Sequence, residues 1–299
     1  MNIALTKSRS SEFTKATAQQ AVAAIVRDGF AMVKVDPAFL VPRIAAIRHG
    51  MQRITDDPEL VRLFPYYAFS EDEYGCDYSK DVGFKLRADD EHKWFFHHML
   101  DAYPDATLPK HRHSEYGSFF AALRDINAKA MEIATALAEQ FDERNREKST
   151  IYKYSGSMAE VVRAGECVDR VLRYLVRQKT ARVDAKPHID RSIFTIDWGA
   201  SHPGLKILRK SDGTWVDVDV TTVGLVAVFP GEKFGAVTNP DRARLGFGTP
   251  HGVKYERTDN RDRYAIVSFV HPAARPEHAA WLKMNHGMIS EYEKSLRIP

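Results

Sequence analysis

From Asp169 onward the chain breaks into short β-prone runs divided by turn signals, and this texture constrains the fold more than any other feature. The runs are Val171 to Arg177, Ser192 to Asp197, Leu205 to Arg209, Trp215 to Val220, Leu225 to Phe229 and Tyr264 to Val270. Between them stand His202-Pro203-Gly204, Ser211-Asp212-Gly213, Pro230-Gly231 and Asn239-Pro240-Asp241, groups that favour tight turns. Many short strands at close spacing predict a sandwich or jelly roll.

The first half reads as mostly helical. Ala21, Val22, Ala24 and Ile25 recur at helical spacing between Thr17 and Asp28, and Gly29 can end that helix in the left-handed conformation. A strand is expected over Phe30 to Val35. A second helix is expected over Pro37 to Ile54, with Leu40, Ile44 and Ile47 on one side and Pro42 a candidate for its true start. Asp56 to Asp90 is an aromatic, polar loop carrying Tyr66, Tyr67, Tyr74 and Tyr78. Within it, Val82 to Arg87 is a candidate strand that presents Lys85 and Arg87 on the same side. Glu91 to Ala102 is predicted helical, with Trp94, Phe95 and Phe96 in the core. Glu115 to Asn145 carries the clearest buried stripe, from Phe119 through Leu123, Ile126 and Ile133 to Leu137. Ser155 to Glu166 reads as a polar bridge, and Pro276 to Leu296 as a closing helix. The expected organisation is a mixed helical region over 1–165, a β core over 166–274 and a C-terminal helix over 275–299.

Bulk properties narrow the function class. The formal charge is +3 with scattered basic residues, which gives no basic stripe for nucleic acid. The two cysteines, Cys76 and Cys167, are too few for a disulfide framework and fit a reducing compartment. No apolar run approaches the roughly 20 residues of a membrane span, and the N-terminus lacks the apolar core of a signal peptide. A cytoplasmic protein acting on a small molecule, without nucleic-acid or membrane partners, is expected.

His188 and Asp190 are two apart, so on a strand they share a face, as two ligands of one metal must. Alone the pair is a weak signal, because about one His-x-Asp arises by chance at ordinary composition. His113 and Glu115 form a competing pair, but Glu115 is more simply a first-turn carboxylate of the long helix. A distant third ligand, His251, completes a set that can bind one face of iron(II) and leave the other open. Arg263, a dozen positions later, can pair with an acidic cosubstrate.

The order of motifs around these residues resembles a known family. After His188-Ile189-Asp190 come Phe194-Thr195-Ile196, Gly204-Leu205-Lys206-Ile207-Leu208, Asp212-Gly213-Thr214-Trp215-Val216 and Gly224-Leu225-Val226. Thr238-Asn239, Thr249-Pro250-His251-Gly252-Val253 and Arg263-Tyr264-Ala265 follow. This order resembles the isopenicillin N synthase-like iron(II)/2-oxoglutarate-dependent dioxygenases over about residues 170 to 272, and more loosely over Ala21 to Phe30. The resemblance implies an α+β protein with a double-stranded β-helix (jelly-roll) core, wrapped by N-terminal helices and a C-terminal helix. It implies iron ligands His188, Asp190 and His251, and Arg263 on the distal carboxylate of 2-oxoglutarate. The cofactor set would be Fe(II), 2-oxoglutarate and O2, and the activity an oxidation that releases succinate and carbon dioxide. A related halogenating subgroup has glycine or alanine at the carboxylate position; Asp190 here favours hydroxylation or desaturation.

The sequence departs from the family pattern in three places. Ala265 replaces a common serine, Gly252 replaces the arginine that usually follows the second histidine, and Leu175 and Arg177 replace an asparagine and a tyrosine. Tyr174 and Arg177 are therefore candidates for the altered cosubstrate wall. Two other readings share the fold: an oxidase that does not use 2-oxoglutarate, and a metabolite-binding module with a vestigial site. For the substrate, Lys85, Arg87 and Arg191 are the cationic candidates and Tyr74, Trp94 and Phe95 the aromatic ones, a combination suited to a carboxylated small molecule.

Overall fold

The structure is a computed structural model. It describes residues 13–64, 83–87, 93–99, 113–148, 157–175, 185–238, 248–254, 261–273 and 276–298. Tyr66, Tyr67, Tyr74, Tyr78 and Arg177 lie outside these residues.

Helix α1 spans Lys15–Asp28. Thr14 caps it by accepting from Thr17 N at 3.2 Å, and Gly29 ends it at φ 86°, a left-handed conformation that only glycine adopts cheaply. Strand β1 (Ala31–Lys34) follows. Helix α2 spans Pro37–Thr55, and its start is Pro37 rather than Pro42. Asp36 accepts from Ala38 N at 2.8 Å and Pro37 occupies the first turn, which together outweigh the one helix bond that Pro42 removes. A short α3 (Pro58–Leu63) leads to β2 (Gly83–Arg87).

Lys93–His98 forms strand β3, not the helix expected there. Trp94-Phe95-Phe96 reads as a helical stripe in isolation, but β3 lies between β2 and β4, which pair with both its edges. Its side chains alternate: Phe96 joins the helix-side core while Phe95 faces inward. Helix α4 (His113–Lys148) lies against that helix-side core. The expected polar bridge contains a further helix, α5 (Met158–Arg163), whose Met158, Ala159, Val161 and Val162 are buried.

The remaining elements build the barrel. They are β4 (Glu166–Tyr174), β5 (Ala185–His188), β6 (Phe194–Ala200), β7 (Leu205–Leu208), β8 (Trp215–Asp217), β9 (Leu225–Pro230), α6 (Glu232–Thr238), β10 (His251–Val253), β11 (Arg263–His271) and α7 (Pro276–Ser295). They form a seven-stranded sheet, β1-β9-β6-β11-β4-β3-β2, and a four-stranded sheet, β5-β10-β7-β8. All pairings are antiparallel. Strands β4 to β11 thus divide into two four-stranded layers, alternating except at the β7–β8 hairpin, as in the double-stranded β-helix. The N-terminal region adds β1 to one edge of the large layer and β2 and β3 to the other, so it extends the sheet as well as packing on it.

Two cores result. One lies between the large sheet and helices α1, α2, α4 and α5. The other lies between the two sheets and includes Leu172, Tyr174, Ala265, Leu205, Ile207 and Phe229. The helix-side core contains one polar network. Asp169, fully buried on β4, accepts from Ser268 Oγ at 2.5 Å and from Asn127 Nδ2 of α4 at 3.0 Å. Trp198 Nε1 donates to Ser268 Oγ at 2.7 Å. These bonds tie α4, β4, β6 and β11 into one register.

Helices α2 and α4 meet at Gly50, where an added Cβ would lie 2.4 Å from Phe119 Cδ2. Phe119 is packed among Phe96 and Phe120 and has little room to move. Gly50→Ala gains about 1 kcal/mol of helix propensity but incurs roughly 1–3 kcal/mol of overpacking. It is expected to lower the thermal unfolding midpoint; an unchanged or raised midpoint would contradict this packing.

Candidate metal and cosubstrate site

His188 ends β5, and Asp190 lies just past it, off the strand. His251 opens β10 and is the register partner of His188, so two antiparallel neighbours present their imidazoles side by side, with ring centroids 4.4 Å apart. Asp190 Oδ1 is 3.4 Å from His188 Nε2, and its Oδ2 is 3.2 Å from His251 Nε2. The donor atoms of the three residues lie within 4.8 Å of one another. Among the described residues this is the one group of its kind.

The surroundings fix which nitrogens face inward. His188 Nδ1 donates to Lys186 O at 2.7 Å, and His251 Nδ1 donates to Thr249 O at 3.1 Å. With the protons held at Nδ1, both Nε2 lone pairs point at the Asp190 carboxylate. Two lone pairs and a carboxylate facing one another in a buried space need a positive charge among them. Burial pushes the His251 pKa down to about 4 against the pull of Asp190, so this imidazole is neutral at physiological pH. Burial also opposes charge on His188, but the hydrogen bond and charge of Asp190 win and raise its pKa. For Asp190, burial alone would raise the pKa; His251 first, then His188 and Thr195, hold it well below the usual carboxylate range. A divalent cation would supply that charge. The donor set, two imidazoles and one carboxylate, is that of a facial non-haem iron site.

A second set of contacts orients Asp190. Thr195 Oγ1 donates to Asp190 Oδ2 at 2.7 Å and lies 2.9 Å from Ser192 Oγ. The start of α6 docks on the same loop: Glu232 N donates to Asp190 O at 2.8 Å and Lys233 N to Ser192 O at 3.1 Å. That approach requires Gly231, where a Cβ would lie 2.5 Å from Asp190 O. Gly252 is explained similarly, since a Cβ there would meet Ile298 Cδ1 at 2.6 Å and Ala185 O at 2.9 Å. The C-terminal segment occupies the space that an arginine would need.

Arg263 lies at the start of β11 and is 1% exposed. Its Nε is 3.2 Å from both His202 O and Pro203 O, and its guanidinium carbon is 5.2 Å from the centre of the Tyr174 ring. Its Nη1 is buried with no hydrogen-bond partner. A buried guanidinium donor left unpaired is costly unless a ligand oxygen meets it. Arg48 of α2 brings a second guanidinium within electrostatic reach; burial, then repulsion from Arg263, lowers its pKa. The orphaned Nη1 and the carboxylate-seeking fork fit the distal end of a dicarboxylate.

The other predicted site residues are less closely tied to this centre. Lys85 is exposed on β2, opposite Phe95, and Arg87 stands opposite Lys93. Arg191 is half-buried beside Glu232, whose pKa burial pushes up to about 7 against the pull of Arg191. Trp94 packs against the helix-side core, away from the barrel interior. The reading of the sequence missed Lys93, His97 and Arg170, which face inward; the helix assigned to β3 hid the alternation that places the first two.

The comparisons with known proteins agree with this geometry. The profile of the 2OG-Fe(II) oxygenase superfamily matches residues 164–272. Those residues match a 2OG-Fe(II) oxygenase domain, a family whose members use Fe(II), 2-oxoglutarate and O2. The isopenicillin N synthase-like resemblance is consistent with it. No curated protein matches the sequence. Among solved structures, a Shewanella oneidensis protein assigned as an oxygenase aligns with TM-score 0.64 at 17% identity, over 94% of this chain and 96% of its own. The dioxygenase for auxin oxidation 1 of Arabidopsis thaliana aligns with TM-score 0.63 at 15% identity, over 87% and 89%. A full-length Neurospora crassa protein, in complex with alpha-KG and 5-formyluracil, aligns with TM-score 0.61 at 16% identity, over 93% and 92%. At these identities the likeness is one of fold. Among the described residues no helix is long and apolar enough to cross a membrane.

Asp197 lies on the same inward face, 5% exposed, and accepts from Gly199 N at 3.0 Å. Burial pushes its pKa up to about 6 despite the nearby Arg263. The native state therefore binds this proton more tightly than the unfolded chain. That stabilisation is full below about pH 4 and is lost as pH rises through about 6. Asp197→Asn is expected to unfold at a higher temperature than wild type at pH 8 and at nearly the same temperature at pH 4. A lower midpoint at pH 8 would contradict the assignment.

Proposed function

We propose that His188, Asp190 and His251 hold iron(II), that Arg263 holds the distal carboxylate of 2-oxoglutarate, and that the enzyme hydroxylates or desaturates a small polar metabolite. The observation that carries this reading is the pairing of two unmet demands in one barrel: an acceptor trio, with Asp190 and His251 buried and His188 partly so, that needs a cation, and a buried guanidinium donor that needs an anion. Bound there, iron(II) with 2-oxoglutarate and dioxygen would supply the oxidising chemistry, with succinate and carbon dioxide as the co-products.

The roles of the protein's residues follow from their positions. Thr195 and the docked start of α6 hold the Asp190 carboxylate in one orientation toward the two imidazoles. Lys186 O and Thr249 O hold the imidazole protons at Nδ1, so Nε2 is always the donor. Tyr174, 2% exposed, backs the Arg263 guanidinium and keeps water from competing for it. The inter-sheet core around Leu172, Ala265 and Phe229 excludes bulk water from the space between the sheets. A small organic substrate is supported by the fold relatives, one described as acting in auxin oxidation and one bound to 5-formyluracil.

Arg263→Ala removes one partner of a buried charged pair, a loss of roughly 2–5 kcal/mol. The expected result is a rise well over tenfold in the dissociation constant for 2-oxoglutarate, measured by anaerobic titration of the iron(II)-loaded protein, with iron affinity retained. An unchanged constant would show that the cosubstrate sits elsewhere.

A further inference from the structure

A second basic group faces the barrel interior and is used by none of the roles above. Strand register places it. On the inward face, Lys93, Tyr174 and Arg263 form one row across β3, β4 and β11. Phe95, Leu172 and Ala265 form the next, and His97, Arg170 and Val267 the third, which continues to Asp197 on β6. The middle row packs across to Leu205 and Ile207 of the small sheet, which fixes this face as the interior. In these rows the basic residues are Lys93, Arg170 and Arg263, and the acidic residue is Asp197.

Arg170 is built to stay where it is. Its Nε donates to His97 Nε2, so His97, 2% exposed, carries its proton on Nδ1 and presents a neutral acceptor. The guanidinium carbon lies 4.6 Å from the Phe269 ring centre and 5.9 Å from that of Phe95. A guanidinium held at one edge by an imidazole and flanked by two aromatic rings is pre-organised and poorly hydrated, the condition under which it pairs best with a carboxylate. Arg170 is half-buried, so a ligand can reach it.

Its position relative to the other groups separates it from Arg263. Arg170 and Arg263 stand four residues apart along the paired strands β4 and β11, about 13 Å by strand rise. Their guanidinium groups also lie against different rings, Phe269 for Arg170 and Tyr174 for Arg263, which assigns them to separate anions. Phe269, beneath the Arg170 guanidinium, is the register partner of Thr195, whose hydroxyl bonds Asp190. Arg170 is within electrostatic reach of His251, and Lys93 of His188. Arg170 thus lies beside the iron ligands, two rows away from Arg263.

We propose that Arg170, held by His97 and flanked by Phe95 and Phe269, anchors a carboxylate of the substrate, so that the substrate is an organic acid with an apolar or aromatic body. This rests on the reading that the trio and Arg263 hold iron and 2-oxoglutarate. It moves the substrate anchor from Lys85, Arg87 and Arg191 to residues inside the barrel.

The test is calorimetry on the full chain loaded with Mn(II) and saturating 2-oxoglutarate. Phenylacetate, 3-phenylpropionate and hexanoate are each compared with the matching uncharged amide, in wild type, Arg170→Gln and Arg170→Lys. At least one acid is expected to bind wild type roughly tenfold or more tighter than its amide. That preference is expected to vanish in Arg170→Gln and to return in part in Arg170→Lys, with Mn(II) and 2-oxoglutarate affinities unchanged. The proposal is overturned if no acid outbinds its amide, if the preference survives in Arg170→Gln, or if that variant loses affinity for 2-oxoglutarate instead. Failure of wild type to bind Mn(II) or 2-oxoglutarate in the first titration would sink the cofactor reading and this proposal with it. Normal cofactor binding without an acid preference would sink this proposal alone.

Discussion

The Asp190 carboxylate, buried and faced by the Nε2 atoms of His188 and His251, is the constraint on which the rest of the structure depends. Such a grouping is unfavourable without a cation, and a fold can keep it only if the backbone leaves the side chains no alternative. The barrel does this by pairing β5 and β10 in register at His188 and His251, and by locking the loop after β5 against the start of α6. Gly231 makes the second contact possible because a side chain would collide with the Asp190 carbonyl. Stability lost at the centre is recovered from the two apolar cores and from the fully hydrogen-bonded Asp169 network behind the large sheet.

The N-terminal region contributes more than cover. By adding β1 at one edge and β2 and β3 at the other, it widens the large sheet and shields edges that would otherwise be open. Strand β3 also carries Lys93, Phe95 and His97 onto the inward face, so part of the cavity wall comes from outside the eight-stranded core. The helix-side face of the same strand buries Phe96 against Phe64, Phe119 and Phe120. One short strand therefore couples the aromatic core to the chemistry of the cavity.

The barrel and the clustering of His188, Asp190 and His251 were legible in the sequence because their signals are local or ordered: turn residues punctuate the strands, and these three residues and Arg263 follow a recognisable sequence of motifs. Helices α1, α2 and α4 were legible from apolar spacing, although the start of α2 at Pro37 depended on the Asp36 cap. Strand β3 was not legible. Trp94, Phe95 and Phe96 are consecutive, so neither a period of two nor one of 3.6 stands out, and only pairing with β2 and β4 decides between them. Helix α5 was hidden by its short length and by the polar residues before it. The Arg170–His97 contact spans 73 positions, and no local pattern announces such a pair. The two small residues at the metal site, Gly231 and Gly252, were visible as turn or motif positions, but their reason, a close approach of backbone and of Ile298, is tertiary.

The central claim is that one barrel satisfies two opposite demands, a cation at the trio and an anion at Arg263. An experimental structure of the protein prepared anaerobically with iron(II) and 2-oxoglutarate tests it most directly. The account predicts the ion within coordination distance of His188 Nε2, Asp190 and His251 Nε2, and the distal carboxylate of 2-oxoglutarate hydrogen-bonded to Arg263 Nη1. An ion bound elsewhere, or 2-oxoglutarate bound with Arg263 Nη1 still unpaired, would contradict it.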